Sequence, residues 1–242
     1  ECAQISLYQN DSDKGKIEYL NIQDEGGTRE IINNVTKKII NNLEDINSIK
    51  RTNIPISELT VALQCGGSDS YSGITANPAL GYASDLLIKY GGSTILAETP
   101  EIYGAEHLLI ERAINHEIVD KLIKQIEWWK NYASINSSSL DNNPTPGNKK
   151  GGLTTILEKS LGAVAKSGTS KMMAVLDYSE HISTKGLNFM DSPGYDPVSV
   201  TGQVASGANI ICFTTGRGSC FGFKPSPSIK IATNTNMFNK LE

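Results

Sequence analysis

The chain has 242 residues, of which 38% are hydrophobic and 20% charged, and its formal net charge is −4. These values are typical of one large or two small globular domains. The negative charge argues against nucleic-acid binding, and no apolar run approaches the roughly 20 residues that span a bilayer. Four cysteines without a CxxC spacing favour neither a disulfide scaffold nor a structural zinc site. A reduced, cytoplasmic setting is therefore expected.

The two ends of the chain suggest a fragment of a longer protein. There is no initiator methionine, and Leu241-Glu242 has the character of a cloning scar. We therefore expect residues 1–240 to be a fragment of a longer protein, with 241–242 as a tag scar.

The first predicted elements are a strand over 16–22 and a helix that opens at Gly26-Gly27-Thr28. This helix carries one apolar stripe, which is a strong amphipathic signal. A polar connection over 44–57 follows. The residues of the stripe are Ile31, Ile32, Val35, Ile39, Ile40 and Leu43.

Residues 59–78 are the central element of the chain. The apolar run 59–63 predicts a buried strand, and a polar, glycine-rich loop follows it directly. Asn77-Pro78 then predicts the start of a helix, because asparagine caps helices well and proline is favoured at the first helical position. The sequence thus indicates strand, loop and helix, and such loops bind ligands in open α/β sheets.

The rest of the chain continues this alternation, apart from a polar segment at 136–151. That segment could be a linker at a sub-boundary, or an ordered functional loop. The alternation predicts an α/β fold with a mostly parallel, doubly wound (Rossmann-like) sheet and helices on both faces. The predicted strands are 93–97, 172–176, 187–190, 208–213 and 229–232, and the predicted helices begin near 104–107 or span 116–134, 154–165 and 197–205.

Several predicted strands end in polar side chains, which a parallel sheet would gather at one edge. Cys65 could be a small buried residue or, with Asp69 beside it, a metal or substrate contact. Glu98, Glu101 and His107 could be metal ligands or an acid–base set. They could equally mark a solvated helix start.

The stretch Thr215-Gly216-Arg217-Gly218 resembles an anion cradle, because glycines expose N–H donors and arginine binds carboxylates bidentately. The alternative is a surface turn. Trp128-Trp129 is interpreted as helix packing rather than a sugar platform. Lys159 could be a catalytic amine, although exposed helical lysines are far commoner.

Seven stretches of the sequence are informative when they are taken together. They are Gln-Cys-Gly-Gly-Ser-Asp (64–69), Gly-Ile-Thr-Ala-Asn-Pro-Ala-Leu-Gly (73–81), Glu-Thr-Pro-Glu-Ile-Tyr-Gly-Ala-Glu-His (98–107), Asn-Asn-Pro-Thr-Pro-Gly-Asn-Lys (142–149), Gly-Gly-Leu-Thr-Thr-Ile-Leu-Glu-Lys-Ser-Leu-Gly (151–162), Asp-Ser-Pro-Gly-Tyr-Asp-Pro-Val-Ser (191–199) and Phe-Thr-Thr-Gly-Arg-Gly-Ser (213–219). They resemble the C-terminal part of the galactarate/altronate dehydratase family, and 98–107, Trp-Trp and 194–199 look closer to galactarate dehydratases.

This resemblance implies a hydro-lyase that dehydrates D-galactarate to a 2-keto-3-deoxy acid. The alternatives are altronate dehydration, elimination from another 2-hydroxy acid such as sulfolactate, and a non-enzymatic anion-binding module. The resemblance also implies a divalent metal, usually Fe²⁺, with Cys65 as a candidate ligand. It further implies a small N-terminal domain absent from this chain, and a homo-oligomer is possible.

Site roles follow from the same resemblance. The base and the proton donor are sought among Glu98, Glu101, His107 and Asp69, and the sequence assigns neither individually. The candidate substrate-binding residues are Ser68, Thr75, Asn143, Asn148, Thr215, Gly216, Arg217 and Gly218.

Overall fold

The computed structural model describes residues 20–240. The chain divides into two compact units, 1–53 and 54–242. Most of the strand predicted over 16–22 lies outside the described residues, and residues 20–22 form no strand. None of the helices within residues 20–240 has the length and apolar character that crossing a bilayer requires.

The described part of the first unit is helical. It consists of α1 (Thr28–Asn41) and α2 (Leu43–Ser48), and α1 begins after Gly27, whose φ is 103°. The amphipathic helix predicted from the isoleucine stripe is therefore present. Neither helix contains a buried residue.

The second unit is built on one six-stranded sheet in which every pairing is parallel, with the order β3-β4-β2-β1-β5-β6. The predicted parallel, doubly wound α/β fold is confirmed, with strand ends moved by at most two residues. The strands are β1 (Thr60–Cys65), β2 (Ser93–Ala97), β3 (Met172–Leu176), β4 (Gly186–Met190), β5 (Ile210–Thr215) and β6 (Ser228–Ala232).

Helices connect the strands and cover both faces of the sheet. Local signals set their starts: Asn115 accepts the Ile118 N–H at 3.0 Å, and Thr155 accepts the Glu158 N–H at 3.1 Å. The helices are α3 (Ala76–Lys89), α4 (His107–Ile110), α5 (His116–Ile135), α6 (Pro146–Lys150), α7 (Ile156–Ala165), α8 (Asp196–Ala205) and α9 (Thr235–Lys240).

Two hydrophobic clusters lie on the two faces, because successive strand side chains point in opposite directions. Val61 and Leu63 of β1 pack in a cluster with residues of α3, α5 and α7. Ala62 packs in the other cluster, which includes Val200 of α8. The central strands β1 and β2 are buried along their whole length. This rigid sheet positions the loops that follow its strands.

The segment 136–151, where the sequence left a linker or a functional loop open, lies within the second unit. It contains a short 3₁₀ turn at Leu140–Asn142 and helix α6. Thr145 caps α6 by accepting the Asn148 N–H, and the Asn148 side chain accepts the Thr145 N–H in return. This capping box makes the segment an ordered structure.

Candidate active site

The polar residues that end the central strands lie together at the carboxyl edge of the sheet. β1 ends at Cys65, which pairs in register with Thr214 of β5. β2 is followed by Glu98, and β5 by Gly216 and Arg217. β1 and β5 are the neighbours between which the strand order reverses, and ligands bind in the crevice at such a point.

Glu98 is buried in a strained position. Only 1% of the residue is exposed, and its φ of 76° is uncommon for a residue other than glycine. Its N–H donates to Ser192 Oγ at 3.1 Å, while its buried Oε2 has no hydrogen-bond partner among the described residues. Burial, and then repulsion from Glu101, raise the pKa of Glu98 well above its ordinary value. Burial therefore favours the protonated form of Glu98.

Glu101 forms a buried ion pair with Lys159 of α7. Lys159 Nζ donates to Glu101 Oε1 at 2.6 Å and to Asn143 Oδ1 at 3.0 Å. The Asn143 side chain in turn donates to Glu101 Oε1 at 3.3 Å. Glu101 Oε2 is buried and unpartnered among the described residues. Glu101 thus has one carboxyl oxygen held by Lys159 and one buried oxygen without a described partner.

Lys166 directly follows α7 and is 1% exposed. Its ammonium donates to Cys65 Sγ at 3.1 Å, and no other hydrogen bond of this group is found among residues 20–240. Burial lowers the pKa of Lys166, but the neighbouring Cys65, Glu98 and Glu101 outweigh this effect, so the pKa is raised. Burial also raises the pKa of the Cys65 thiol. The Lys166 ammonium is therefore held against the Cys65 sulfur, within the field of the two glutamates.

Asp69 differs from these residues because both oxygens of its carboxylate already accept hydrogen bonds within the protein. Thr233 Oγ1 donates to both of its oxygens at 2.9 and 3.0 Å, and Asn234 Nδ2 donates at 3.0 Å. Ser72 Oγ adds a bond at 3.0 Å. Gly216 packs so closely that a Cβ there would lie 2.1 Å from Asp69 Cγ. Asp69 therefore holds the loops after β1, β5 and β6 together.

The 143–151 segment connects the Glu101 pair with the Arg217 loop. Its Asn143 contacts Glu101, and its Gly147 lies against the exposed Arg217 guanidinium, where a Cβ would be 2.7 Å from Nη1. Asn148 Nδ2 donates to the Ser68 carbonyl at 3.0 Å. Arg217 can approach only because residue 147 has no side chain. The segment thus connects the loop after β2, which carries Glu101, with the loop after β5, which carries Arg217.

The N–H groups predicted to form an anion cradle are engaged within the protein. Gly216 N–H donates to the Gly67 carbonyl at 3.2 Å, and Gly218 N–H donates to Thr215 Oγ1 at 3.0 Å. Arg217 is exposed, and its side chain makes no hydrogen bond to any residue in the described part of the chain. Carboxylate recognition by this loop would therefore depend on the guanidinium.

Two further predicted residues lie apart from the buried cluster. His107 is exposed at the start of α4, and its side chain has no hydrogen bond within residues 20–240. Thr75 is also exposed, and its hydroxyl contacts the Tyr71 and Thr233 carbonyls at 3.0 and 2.7 Å. The Ser68 side chain is buried beside the loop. The geometry thus links Glu98 and Glu101 to one another but not to His107.

The residues present do not match the predicted metal site. Among residues 20–240 no group of three or more His, Cys, Asp or Glu side chains is arranged to hold a metal ion. Cys65, the candidate ligand, receives a hydrogen bond from a lysine instead. This part of the chain does not form a metal centre by itself, and the iron remains a prediction from the resemblance.

Sequence reasoning missed Lys166 and did not single out Asp196, whose pKa is raised by burial and then by Glu101. One signal could have pointed to Lys166: it lies seven residues after Lys159, and a spacing of two helical turns places both lysines on one face of α7. The residues that follow, Ser167 and Gly168, indicated an exposed position for Lys166. Lysines are almost never fully buried unless they are paired.

Buried ionisable groups at the carboxyl edge of a doubly wound sheet are typical of an α/β enzyme. Residues 56–242 match the family described as D-galactarate/Altronate dehydratase, C-terminal. The chain therefore belongs to the galactarate/altronate dehydratase family, as the sequence motifs predicted.

Its relatives include dehydratases and a sulfo-lyase subunit. The chain is 42% identical over 223 residues to galactarate dehydratase (L-threo-forming) of Escherichia coli K12, covering 91% of this chain and 43% of the relative. It is 48% identical over 189 residues to altronate dehydratase of Bacillus subtilis 168, covering 78% and 38%. It is 34% identical over 214 residues to (2R)-sulfolactate sulfo-lyase subunit beta of Chromohalobacter salexigens, covering 87% and 55%. The chain thus spans about two fifths to about half of these proteins.

Proposed function

We propose that this chain is the C-terminal part of a hydro-lyase that dehydrates D-galactarate to a 2-keto-3-deoxy acid. The observation that carries the proposal is the buried cluster of Glu98, Glu101, Lys159 and Lys166 at the carboxyl edge. Membership of the dehydratase family supports this reading. The chain spans only part of the length of its relatives, and a further part of the longer protein would complete the site.

The reaction needs one proton removed and one supplied. A base takes the proton from the carbon next to a carboxylate, and the electron pair forms a double bond as the neighbouring hydroxyl leaves with an added proton as water. The resulting enol becomes the 2-keto-3-deoxy acid by protonation at carbon 3. Negative charge builds on the carboxylate between these events, so the site must supply positive charge.

The geometry suggests a division of roles. Glu101 is ion-paired with Lys159, and its Oε2, which has no described partner, is suited to accept the proton. Burial favours the protonated form of Glu98, which is therefore suited to protonate the departing hydroxyl. The Lys166 ammonium, whose only described acceptor is a thiol, is suited to stabilise the developing charge. No step of this proposal passes through a metal, and bound iron remains a separate prediction.

A diacid has a second carboxylate, and we assign it to Arg217. The guanidinium is exposed, makes no hydrogen bond in residues 20–240 and sits next to the 143–151 segment. Its planar fork matches a carboxylate. Asn143, Asn148, Ser68 and Thr75 remain candidates for the substrate hydroxyls, of which Asn143 lies nearest the proton-transfer pair.

One comparison favours galactarate over altronate. The galactarate dehydratase alignment covers 91% of the chain and so extends before residue 56, whereas the altronate dehydratase alignment covers 78%. The higher identity to the altronate enzyme, 48% against 42%, keeps altronate dehydration as the second candidate. The sulfo-lyase alignment covers 87% of the chain, but its identity of 34% is lower than that of the two dehydratase alignments.

Substrate profiling of the full-length enzyme, with ferrous iron added, tests the proposal. We expect keto-acid formation from galactarate to exceed that from altronate and sulfolactate at least tenfold. The Glu98→Gln and Glu101→Gln enzymes should each lose at least a hundredfold in kcat, whereas Glu127→Gln, on an exposed helical face, should not. Preferred turnover of altronate would contradict the diacid assignment. Absence of turnover with all three acids would favour an anion-binding module.

A further inference from the structure

A cavity of about 580 Å³ lies beside the candidate active site. It is bordered by α5 and by the residues that follow β3 and β4, including Asp191, Ser192 and Pro193. None of the side chains assigned to proton transfer lines it. Its volume falls within the usual range for small-molecule sites.

The aromatic wall of this cavity is held in place. Trp128 is 53% exposed and stacks on Tyr132 with ring centroids 5.2 Å apart and nearly parallel planes. Trp129 meets Trp128 edge-on at 4.9 Å and donates its indole N–H to Asp191 at 2.8 Å. Tyr178, on the opposite border, donates its hydroxyl to the Val198 carbonyl at 2.9 Å. The tryptophan pair packs within the protein, as interpreted from the sequence. The half-exposed indole of Trp128 can still contact a ligand.

Some polar groups at the border of the cavity have hydrogen-bond or ion-pair partners, and others have none among the described residues. Gln125 is 9% exposed; its amide N–H group donates to the Leu176 carbonyl at 3.0 Å, but its buried Oε1 has no partner among residues 20–240. Lys121 is paired with Asp177 and Glu180 at 3.2 and 3.0 Å. Lys124 is exposed and has no ion pair in the described part of the chain. The border of the cavity thus carries a buried acceptor without a described partner and an exposed cation.

We propose that this cavity is a second binding site, for a polyhydroxylated carboxylate. The C–H face of the polyol packs on Trp128, a hydroxyl donates to Gln125 Oε1, and the carboxylate pairs with Lys124. The ligand class follows from the cavity, whereas the choice of galactarate as the probe rests on the proposed function. Asp191 accepts from Thr99, the neighbour of Glu98, so the site touches the same loops as the proton-transfer groups.

Tryptophan fluorescence provides a specific probe, because Trp128 and Trp129 are the two tryptophans of the chain and both line the cavity. Residues 1–242 are titrated with galactarate, the neutral polyol galactitol, and succinate, a diacid without hydroxyls. We expect a saturable change with galactarate and at least tenfold weaker binding of the other two. Equal binding of galactitol, or no saturable change, would overturn the inference.

Variants separate this site from the candidate active site. Lys124→Ala should weaken galactarate binding at least fivefold without changing the thermal midpoint, whereas Lys130→Ala, which only pairs with Glu127, should not. Arg217→Ala should leave the fluorescence titration unchanged. Loss of the signal in Arg217→Ala, or no effect of Lys124→Ala, would refute the second site. Fluorescence binding without turnover in the full-length enzyme would contradict only the proposed function, and turnover without fluorescence binding would contradict only this inference.

Discussion

Replacing Glu98 by glutamine tests the physical basis of the candidate site without relying on catalysis. The two side chains have nearly the same shape, so the change removes an ionisable group and little else. Glu98 is fully buried with one oxygen lacking a partner in the described structure, and its pKa is raised mainly by that burial. Glu98→Gln therefore isolates the cost of a buried carboxyl group.

The size of the effect follows from linkage. An unfolded glutamate titrates near pKa 4.3. At pH values between that pKa and the higher folded pKa only the unfolded state is ionised, so the folded state binds more protons and stability falls as pH rises, by about 1.4 kcal/mol per pH unit. Below the unfolded pKa the penalty is absent. Its ceiling at pH 7 is therefore about 3 to 4 kcal/mol, and glutamine removes it.

The assay is urea unfolding of residues 1–242, followed by circular dichroism at pH 4.5 to 8. We expect the unfolding free energy of Glu98→Gln, relative to the unmodified chain, to increase steadily with pH. Glu158→Gln is the control with the opposite sign, because hydrogen bonds from Thr154 lower the pKa of the partly exposed Glu158. A pH-independent difference for Glu98→Gln would refute the conclusion that burial raises the pKa of Glu98.

Four other predictions follow from the same site. Lys159→Met should lower the unfolding free energy by about 3 to 5 kcal/mol in a urea titration, because it leaves the buried Glu101 carboxylate unpaired; a loss below about 1 kcal/mol would contradict the buried pair. Arg217→Lys should reduce kcat/KM of the full-length enzyme, because a point charge cannot replace the planar fork, and unchanged kinetics would count against its role. In the full-length enzyme kcat/KM should fall as pH rises through the pKa of Glu98, the proposed acid, and a flat alkaline limb in the pH profile would argue for another donor. Residues 1–242 should melt cooperatively yet form little keto acid from galactarate with ferrous iron, since part of the site is expected from elsewhere; turnover near that of the full-length enzyme would show a complete site.

The candidate site was only partly readable from the sequence. Glu98 and Glu101 were identifiable because they directly follow a predicted strand, and strand ends gather at one edge of a parallel sheet. The same reasoning proposed His107, but the chain turns through a 3₁₀ segment at Thr99–Ile102 before α4 begins, and His107 is exposed. A distance of a few residues in sequence does not determine which side chains point into a cluster.

By itself, the sequence determined the α/β class, the sheet strands and the family. Apolar runs, glycine loops and helix caps are local signals, and they act over a few residues. Only the tertiary structure decided that Lys166 is buried against Cys65, and that Gly147 admits the Arg217 guanidinium. These contacts join residues about 70 to 100 positions apart in the chain. They depend on how the sheet edge and the 143–151 segment pack, which no local pattern encodes.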